Sequence, residues 1–326
     1  MLYAGLDVHK NFCQAIVMTK DGDVINEARL PSDPSKLIEF FSQYGKPLIA
    51  MEACYGYEYI YSELSKHFEV KLAHPTKVRA IAEARIKNDR IDAKVLADLL
   101  RSNLLPTAYM PSKEILELRK LCRERKRYVE ERSKLKNAVR AELLRHGIKP
   151  KLSIWTKEGM RWLESLEIPS ITRAVRLIKE ISKAIDEINE KIDELADKFE
   201  EIEILCTIPG VGKYSACLIF AEIASIDRFA SAEKLASYAG LVPSVKKSGN
   251  TVRYGPITKE GSKYLRWILV ECVLIHVSRY ETKLTQFYRR IAKRRGVAKA
   301  IIATARKLCS IIYSMLKKKE KFREWG

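Results

Sequence analysis

The sequence predicts an α/β domain followed by a helical remainder, and three observations carry that prediction. Short apolar runs bounded by turn signals alternate with helical segments as far as about residue 108, and long amphipathic helices take over afterwards. The charge divides at nearly the same place. Residues 1–110 hold 14 basic and 14 acidic side chains and residues 111–326 hold 46 and 27, so the second part carries the whole formal charge of +19. At 326 residues the chain is also long enough for more than one core. The expected boundaries are 1–108 for the α/β domain, 109–200 for a coiled-coil arm and 201–326 for an all-α C-terminal domain ending in a basic tail.

Leu2–Val8, Phe12–Met18 and Val24–Arg29 read as three strands, the last two joined by the turn pair Asp21-Gly22, in a β-meander. A helix over about Ser35–Gln43 follows, then a buried strand in PLIAMEA (Pro47–Ala53), a helix in YEYIYSELSKHF and a strand in EVKLAH. A meander followed by alternating helix and strand makes a mixed sheet packed with helices, the order that the RNase H-like fold uses and that other α/β folds share in part.

In the remainder, Ile171, Val175, Ile178, Ile181, Ile185, Ile188, Ile192, Leu195 and Phe199 recur at spacings of four and three, which is a coiled-coil seam. An earlier helix, about Lys113–His146, has 12 basic and 6 acidic residues, and Gly147 and Pro150 let the two fold back as an antiparallel arm. Its charge suits either a solvated face or contact with nucleic acid. CTIPGVGKYSACLIFAEI then puts a Pro-Gly-Val-Gly turn between apolar helices, as in a helix-hairpin-helix, where the amides of Gly210, Gly212 and Lys213 would bind phosphate. It lacks the spacing of a P-loop. Lys283–Glu324, with 14 basic and two acidic residues, reads as a strand-binding surface.

The seven cysteines are odd in number, scattered and never in a C-x-x-C pair, against disulfides and structural zinc. No signal peptide opens the chain and no apolar run approaches a membrane span, so the expectation is a prokaryotic cytoplasmic, nucleoid-associated protein without a membrane partner. A pI near 9.5 makes a polyanion the default partner.

The candidate chemistry lies in the neutral third. Asp7 ends the apolar strand LYAGLD and Glu52 ends LIAME, and burying a carboxylate costs several kcal/mol unless a partner or cation compensates. Asp89 and Asp92 stand three apart at a helix start, so they point the same way. Alone, that pair also suits a helix cap favoured by the dipole, and Asp7 suits a turn. Together, four acids are what two Mg²⁺ ions about 4 Å apart need to stabilise the attacking and leaving oxygens of a phosphodiester. The tyrosines 55, 57, 59 and 61 point several ways and read as packing residues. His9 and His74, in no metal-binding spacing, read as structural.

With those acids in place, the strings GLDVHK, MEACYGYE, HPTKVRA, KNDRIDAKVLADLL, IPGVGKYSA, RFASAEKLASYAGLVPS and SGNTVRYGPITKEGSKYLR resemble, in order, the DEDD transposases of insertion sequences, the bridge-RNA-guided recombinases. The likeness spans about Leu2–Cys272. It implies an RNase H-like (RuvC-like) domain holding Mg²⁺ through Asp7, Glu52, Asp89 and Asp92, and a C-terminal domain whose serine attacks DNA to form a phosphoserine. It also implies a noncoding RNA that pairs with donor and target DNA. By motif the serine is Ser248, with Ser244 as rival. Ala53-Cys54-Tyr55-Gly56 stands where the family commonly has Ala-Thr-Gly, and Asn88 where Thr is usual.

Ser248 is read in a loop between helices, followed by Gly249 and flanked by Lys246, Lys247 and Arg253, with Lys259 and Arg266 beyond, a setting a phosphate can approach. The nearest histidine downstream is His276, so activation would have to come from a metal or an acid of the other domain, within a dimer or tetramer. Three other classes compete: a RuvC-like structure-specific endonuclease acting by hydrolysis with the same acids, an actin-like kinase or ATPase, and a non-catalytic nucleic-acid binder. Val8, His9 and Lys10 after Asp7 count against the kinase, which wants a Gly there.

Overall fold

The structure, a computed structural model, describes the chain apart from residues 54–55, 83–88, 152, 249–250 and 325–326, and the side chains of residues 76, 80, 82, 246–248, 251–252 and 254 stand outside the description as well. The chain divides into two compact units, Met1–Met110 and Pro111–Gly326.

The first unit is a mixed sheet with helices on both faces. β1 (Tyr3–Val8), β2 (Phe12–Met18) and β3 (Val24–Pro31) form an antiparallel meander, followed by α1 (Pro34–Ser42), β4 (Leu48–Glu52), α2 (Tyr57–Leu64), β5 (Val70–Ala73), α3 (Pro75–Ala82) and α4 (Asp89–Arg101). The strand order is β3-β2-β1-β4-β5, with β1/β4 and β4/β5 parallel. Asp33 caps α1 by accepting from the Ser35 amide, and Pro34 opens it.

Side-chain alternation sorts the strands between two cores. Leu6 and Val8 of β1 and Ile49 and Met51 of β4 pack with Leu37, Phe41, Ile60 and Leu64 of α1 and α2. On the opposite face Tyr3, Leu48 and Ala50 pack with Leu96, Leu99 and Leu100 of α4, while Ile16 and Met18 meet Ala93 and Ala97. Gly5 sets how close α4 comes: a Cβ built on it would lie 1.9 Å from the Ala93 carbonyl oxygen and 2.9 Å from the Ala97 nitrogen. Only a residue without a side chain lets the helix backbone lie on the strand backbone there.

The second unit is mostly helical. α5 (Lys113–Arg145), α6 (Lys157–Ser165) and α7 (Pro169–Ala196) are followed by α8 (Glu200–Cys206), α9 (Lys213–Ile223), α10 (Ala232–Tyr238), α11 (Lys263–Arg279), α12 (Lys283–Arg295) and α13 (Val297–Lys318). Ser112 caps α5. Arg125 donates to Asn189, Arg132 to Ser182, and Glu142 accepts from Ser170, so α7 runs backwards as α5 runs forwards and the pair is antiparallel. Of the apolar series, Ile171, Val175, Ile178, Ile185, Ile188, Ile192 and Leu195 of α7 are buried and Ile181 is half-buried, whereas Phe199, also half-buried, lies past the end of α7 as the N-cap of α8.

Most of α9 is buried, and the helix lies at the centre of the larger core. Glu222 on it is fully buried and receives Arg123 Nε at 2.7 Å and Nη2 at 2.9 Å, plus the Ser262 hydroxyl at 2.8 Å. Ser262 in turn caps α11, so one carboxylate joins α5, α9 and the start of α11.

Two expectations are corrected here. The C-terminal region is not all-α: β6 (Pro243–Ser248) and β7 (Thr251–Ile257) pair as antiparallel strands, in which the β-branched residues Val245, Thr251 and Val252 favour extended backbone. The basic tail is not a tail: Lys283–Lys318 forms α12 and α13, and α13 buries Ala305, Leu308, Cys309 and Ile312 in the core on one face.

Gly5→Ala is expected to destabilise the first unit by about 2 kcal/mol or more, because the added methyl meets main chain that cannot rotate away. Urea unfolding followed by circular dichroism checks this, and a change under about 0.5 kcal/mol would mean that α4 does not rest on β1 as described.

Candidate active site

Asp7 and Glu52 sit side by side. Leu6 pairs with Met51 across the parallel β1/β4 ladder, so the next residue on each strand is an acid, and alternation turns both toward the α4 face. The buried stripe of α4, Ala93, Leu96, Ala97 and Leu100, extends one turn back to Asp89 and Asp92. The packing that seats α4 on Gly5 therefore carries its two acids toward the strand ends. Arg90 adds a tether from the same turn, donating from Nε to Glu27 of β3 at 2.6 Å.

The cluster has a member that sequence spacing set aside. His9 Nε2 lies 3.0 Å from Asp7 Oδ2 and 3.2 Å from Asp89 Oδ1. One ligand atom from each of Asp7, His9 and Asp89 falls within 4.8 Å of the others. The ring is held by stacking on Phe12, 4.7 Å between centroids, and by a tight turn in which the His9 amide donates to the Phe12 carbonyl and Ser32 Oγ donates to the His9 carbonyl. The available signal was an imidazole two residues past a strand-end aspartate, which a search for paired histidines does not see.

Asp7 is only 4% exposed, while Asp89 stays about half open and Glu52 and Asp92 are half-buried. Burial is the main reason the Asp7 carboxyl is pushed above its usual range, with His9 opposing and the charges of Asp92 and Asp89 adding to the rise. A buried carboxylate crowded by two others and a ring nitrogen is short of positive charge. That donor set, hard oxygens with one imidazole, suits a divalent cation. In the tautomer that carries its proton on Nε2, His9 donates toward the carboxylates of Asp7 and Asp89.

Among the other candidates, Ser248 is the last residue of β6, paired through its backbone with Thr251, rather than in a loop between helices. Its side chain and those of Lys246 and Lys247 lie outside the described residues, as do Cys54, Tyr55, Asn88 and Gly249. Arg253 and Lys259 are exposed. Arg266 donates to the carbonyls of Ala239 and Lys259, both at 3.1 Å, and so shapes the loop before α11. Ser244 lies against Gly255, where a Cβ would come within 2.4 Å of its Oγ.

Gly210 (φ +86°) fits against α11, a Cβ there lying 3.0 Å from the His276 nitrogen, and Gly212 caps α9 without a side chain. Lys213 is engaged by Asp193 at 3.1 Å and Asp197 at 3.3 Å. Tyr57 and Tyr61 pack on the first core, whereas Tyr59 is 65% exposed. His74 follows β5, with Nδ1 buried and without a hydrogen-bond partner among the described residues.

Residues 4–148 match the DEDD transposase domain of the IS110 type, and residues 202–289 match the Transposase IS116/IS110/IS902 family. The chain is 25% identical to the transposase for insertion sequence element IS1111A of Coxiella burnetii, across 98% of this chain and 90% of that protein. It is 27% identical to the transposase for insertion sequence element IS1328 of Yersinia enterocolitica, over 85% and 84% of the two chains. Similarity also extends to the pilin gene-inverting protein of Moraxella bovis, at 27% identity over 79% and 76%. With the acid cluster inside the first matched stretch and the β6–β7 pair inside the second, the chain belongs to the IS110/IS116 family of DEDD transposases.

Proposed function

We propose that this transposase cuts and rejoins DNA with a Mg²⁺ site made by Asp7, Glu52, Asp89 and Asp92 and with Ser248 as nucleophile, on an RNase H-like (RuvC-like) domain followed by a coiled-coil arm and a C-terminal domain with a helix-hairpin-helix-like turn. The observation that carries it is the convergence of Asp7, His9 and Asp89 within 4.8 Å, with Asp92 close enough to raise the Asp7 pKa. The strand order β3-β2-β1-β4-β5 supports the RNase H-like reading.

Asp7, Glu52, Asp89 and Asp92 would hold the divalent cations, two in this reading, which would supply polarisation of the phosphodiester and compensation of charge on its attacking and leaving oxygens. Asp7 and Glu52, fixed on neighbouring strands, hold their carboxylates with little rotational freedom, and Asp89 and Asp92 enter from the helix. A cation held by these acids would take the place of the contacts between His9 Nε2 and the carboxylates of Asp7 and Asp89. Ser248 Oγ forms a bond to phosphorus as the bond from phosphorus to one sugar oxygen breaks. The serine proton goes to solvent, and the departing oxygen takes one up. Attack by a strand-end hydroxyl on the phosphoserine then rejoins DNA and restores the serine. The partners in this reading are element ends and target DNA, a noncoding bridge RNA, and further copies of the chain in a dimer or tetramer, in a prokaryotic cytoplasm near the nucleoid.

Asp7→Asn is expected to abolish strand cleavage, by more than about 100-fold, and yet to stabilise the cation-free protein at neutral pH. The sign follows from the raised pKa: the neutral form is the better-tolerated one, so the stability it confers is present below the usual carboxyl pKa and lost as pH rises through the raised value. Thermal melts with and without Mg²⁺ check this. Mg²⁺ should raise Tm in the wild type and much less in the variant, and an equal rise in both would remove Asp7 from the site. Ser248→Ala should abolish the covalent protein–DNA adduct on a denaturing gel. An adduct that persists refutes the serine, and nicking with no adduct in the wild type would make water the nucleophile.

A further inference from the structure

Five of the twelve cations of α5 have carboxylate partners. Lys126 pairs with Glu130, Arg127 with Glu124, Lys134 with Glu131, Arg145 with Glu142 and Arg123 with Glu222. Of the other seven, Arg119 and Arg125 bond to the Ala221 carbonyl and to Asn189, whereas Arg132, Lys136 and Arg140, also without a carboxylate within ion-pair distance among the described residues, stand four residues apart on one stripe, about 6 Å per step along the axis. Arg132 and Arg140 donate to the neutral oxygens of Ser182 and Asn137, at 3.2 and 3.1 Å. Lys136 Nζ and Arg140 Cζ lie 4.9 and 5.5 Å from the centre of the Trp155 ring. Burial first, then the charges of Arg132 and Arg140, hold the Lys136 amine below its usual pKa, and no acid counters them.

Among the described residues Trp155 Nε1 is itself buried without an acceptor, and neither a lysine nor an arginine supplies one, since both only donate. The site is thus made of donors. Further cations, Lys149, Lys151, Lys157 and Arg161, lie exposed on the segment that joins α5 to α7.

We propose that the Arg132–Lys136–Arg140 stripe with Trp155 is a phosphate-backbone grip for duplex DNA at the end of α5 that leads into α6. The reading rests on DNA being the substrate, as proposed above. A row of unpaired cations on centres of about 6 Å meets a strand that carries one charge per about 3.4 Å of duplex axis, and counterion release drives such binding without regard to sequence. The indole keeps the heads of Lys136 and Arg140 oriented instead of free to rotate.

The test uses the full chain and a labelled duplex of arbitrary sequence, followed by fluorescence anisotropy across a salt series. Replacing Arg132→Gln, Lys136→Met and Arg140→Gln together should weaken binding at least tenfold near 0.1 M salt and lower the slope of log K against log salt by about 2 to 3. A charge-matched control, Arg127→Gln, Lys134→Met and Arg145→Gln, removes three cations that already have carboxylate partners and should change affinity no more than threefold. Binding is read without divalent cation, so that no cleavage takes place and failure of the chemistry and failure of the grip are read separately. Equal losses in the triple variant and its control would overturn the proposal. So would an unchanged slope, or a loss seen with a single-stranded or duplex RNA probe while the DNA duplex binds as before. Unchanged melting of the triple variant shows that the loss is not unfolding.

Discussion

The first unit depends on a main-chain contact between β1 and α4. Gly5 lets the Ala93 carbonyl lie where any side chain would be. Because that contact sits one strand step below Asp7 and one helical turn below Asp89, the separation between the carboxylates is inherited from backbone packing and not from flexible side chains. Ala93 and Ala97 serve the same purpose from the helix side, and the apolar burial on the far face of the sheet, Leu6 and Met51 against Phe41 and Leu64, stabilises the platform. Rigid elements on both sides are what a catalytic constellation requires.

The electrostatic character of the molecule is divided, and each part shows why. Where the chain is neutral, it gathers like charges and leaves a buried carboxylate short of positive charge, which disfavours the folded state until a cation arrives. Where the chain is basic, five cations of α5 are matched by carboxylates, and among the others Arg132, Lys136 and Arg140 stand out by their even spacing, with Lys136 and Arg140 set over the Trp155 ring. Glu222 follows the opposite rule: a fully buried acid matched by a bidentate arginine and a hydroxyl, used to join three helices and not to hold a ligand.

The sheet could be read in the sequence because alternating apolar strands with acids at two of their ends leave few other arrangements; β1, β2 and β4 lie where the pattern put them within a residue or two. Asp7 and Glu52 are singled out by the same logic, and Asp89 and Asp92 by their spacing at a helix start. That logic did not flag Glu222, although it also interrupts an apolar run, in CLIFAEI, since the partner that satisfies it is about a hundred residues away. His9 escaped because its meaning comes from Asp89 across the fold, not from another histidine along the chain. The β6–β7 pair was overlooked because its strands are short and rich in lysine and arginine, so neither periodicity nor apolar content marks them. Charge density likewise hid that α13 is a core helix with one basic face.

The central claim is that the backbone contact at Gly5 brings the carboxylates of β1 and α4 to a common cation. A crystal of the full chain grown with Mn²⁺ in place of Mg²⁺ tests it most directly, by anomalous scattering. The account predicts a peak about 2.2 Å from oxygens of both Asp7 and Asp89. The absence of any peak there, with Asp89 turned to solvent and serving only its own helix end, would contradict it.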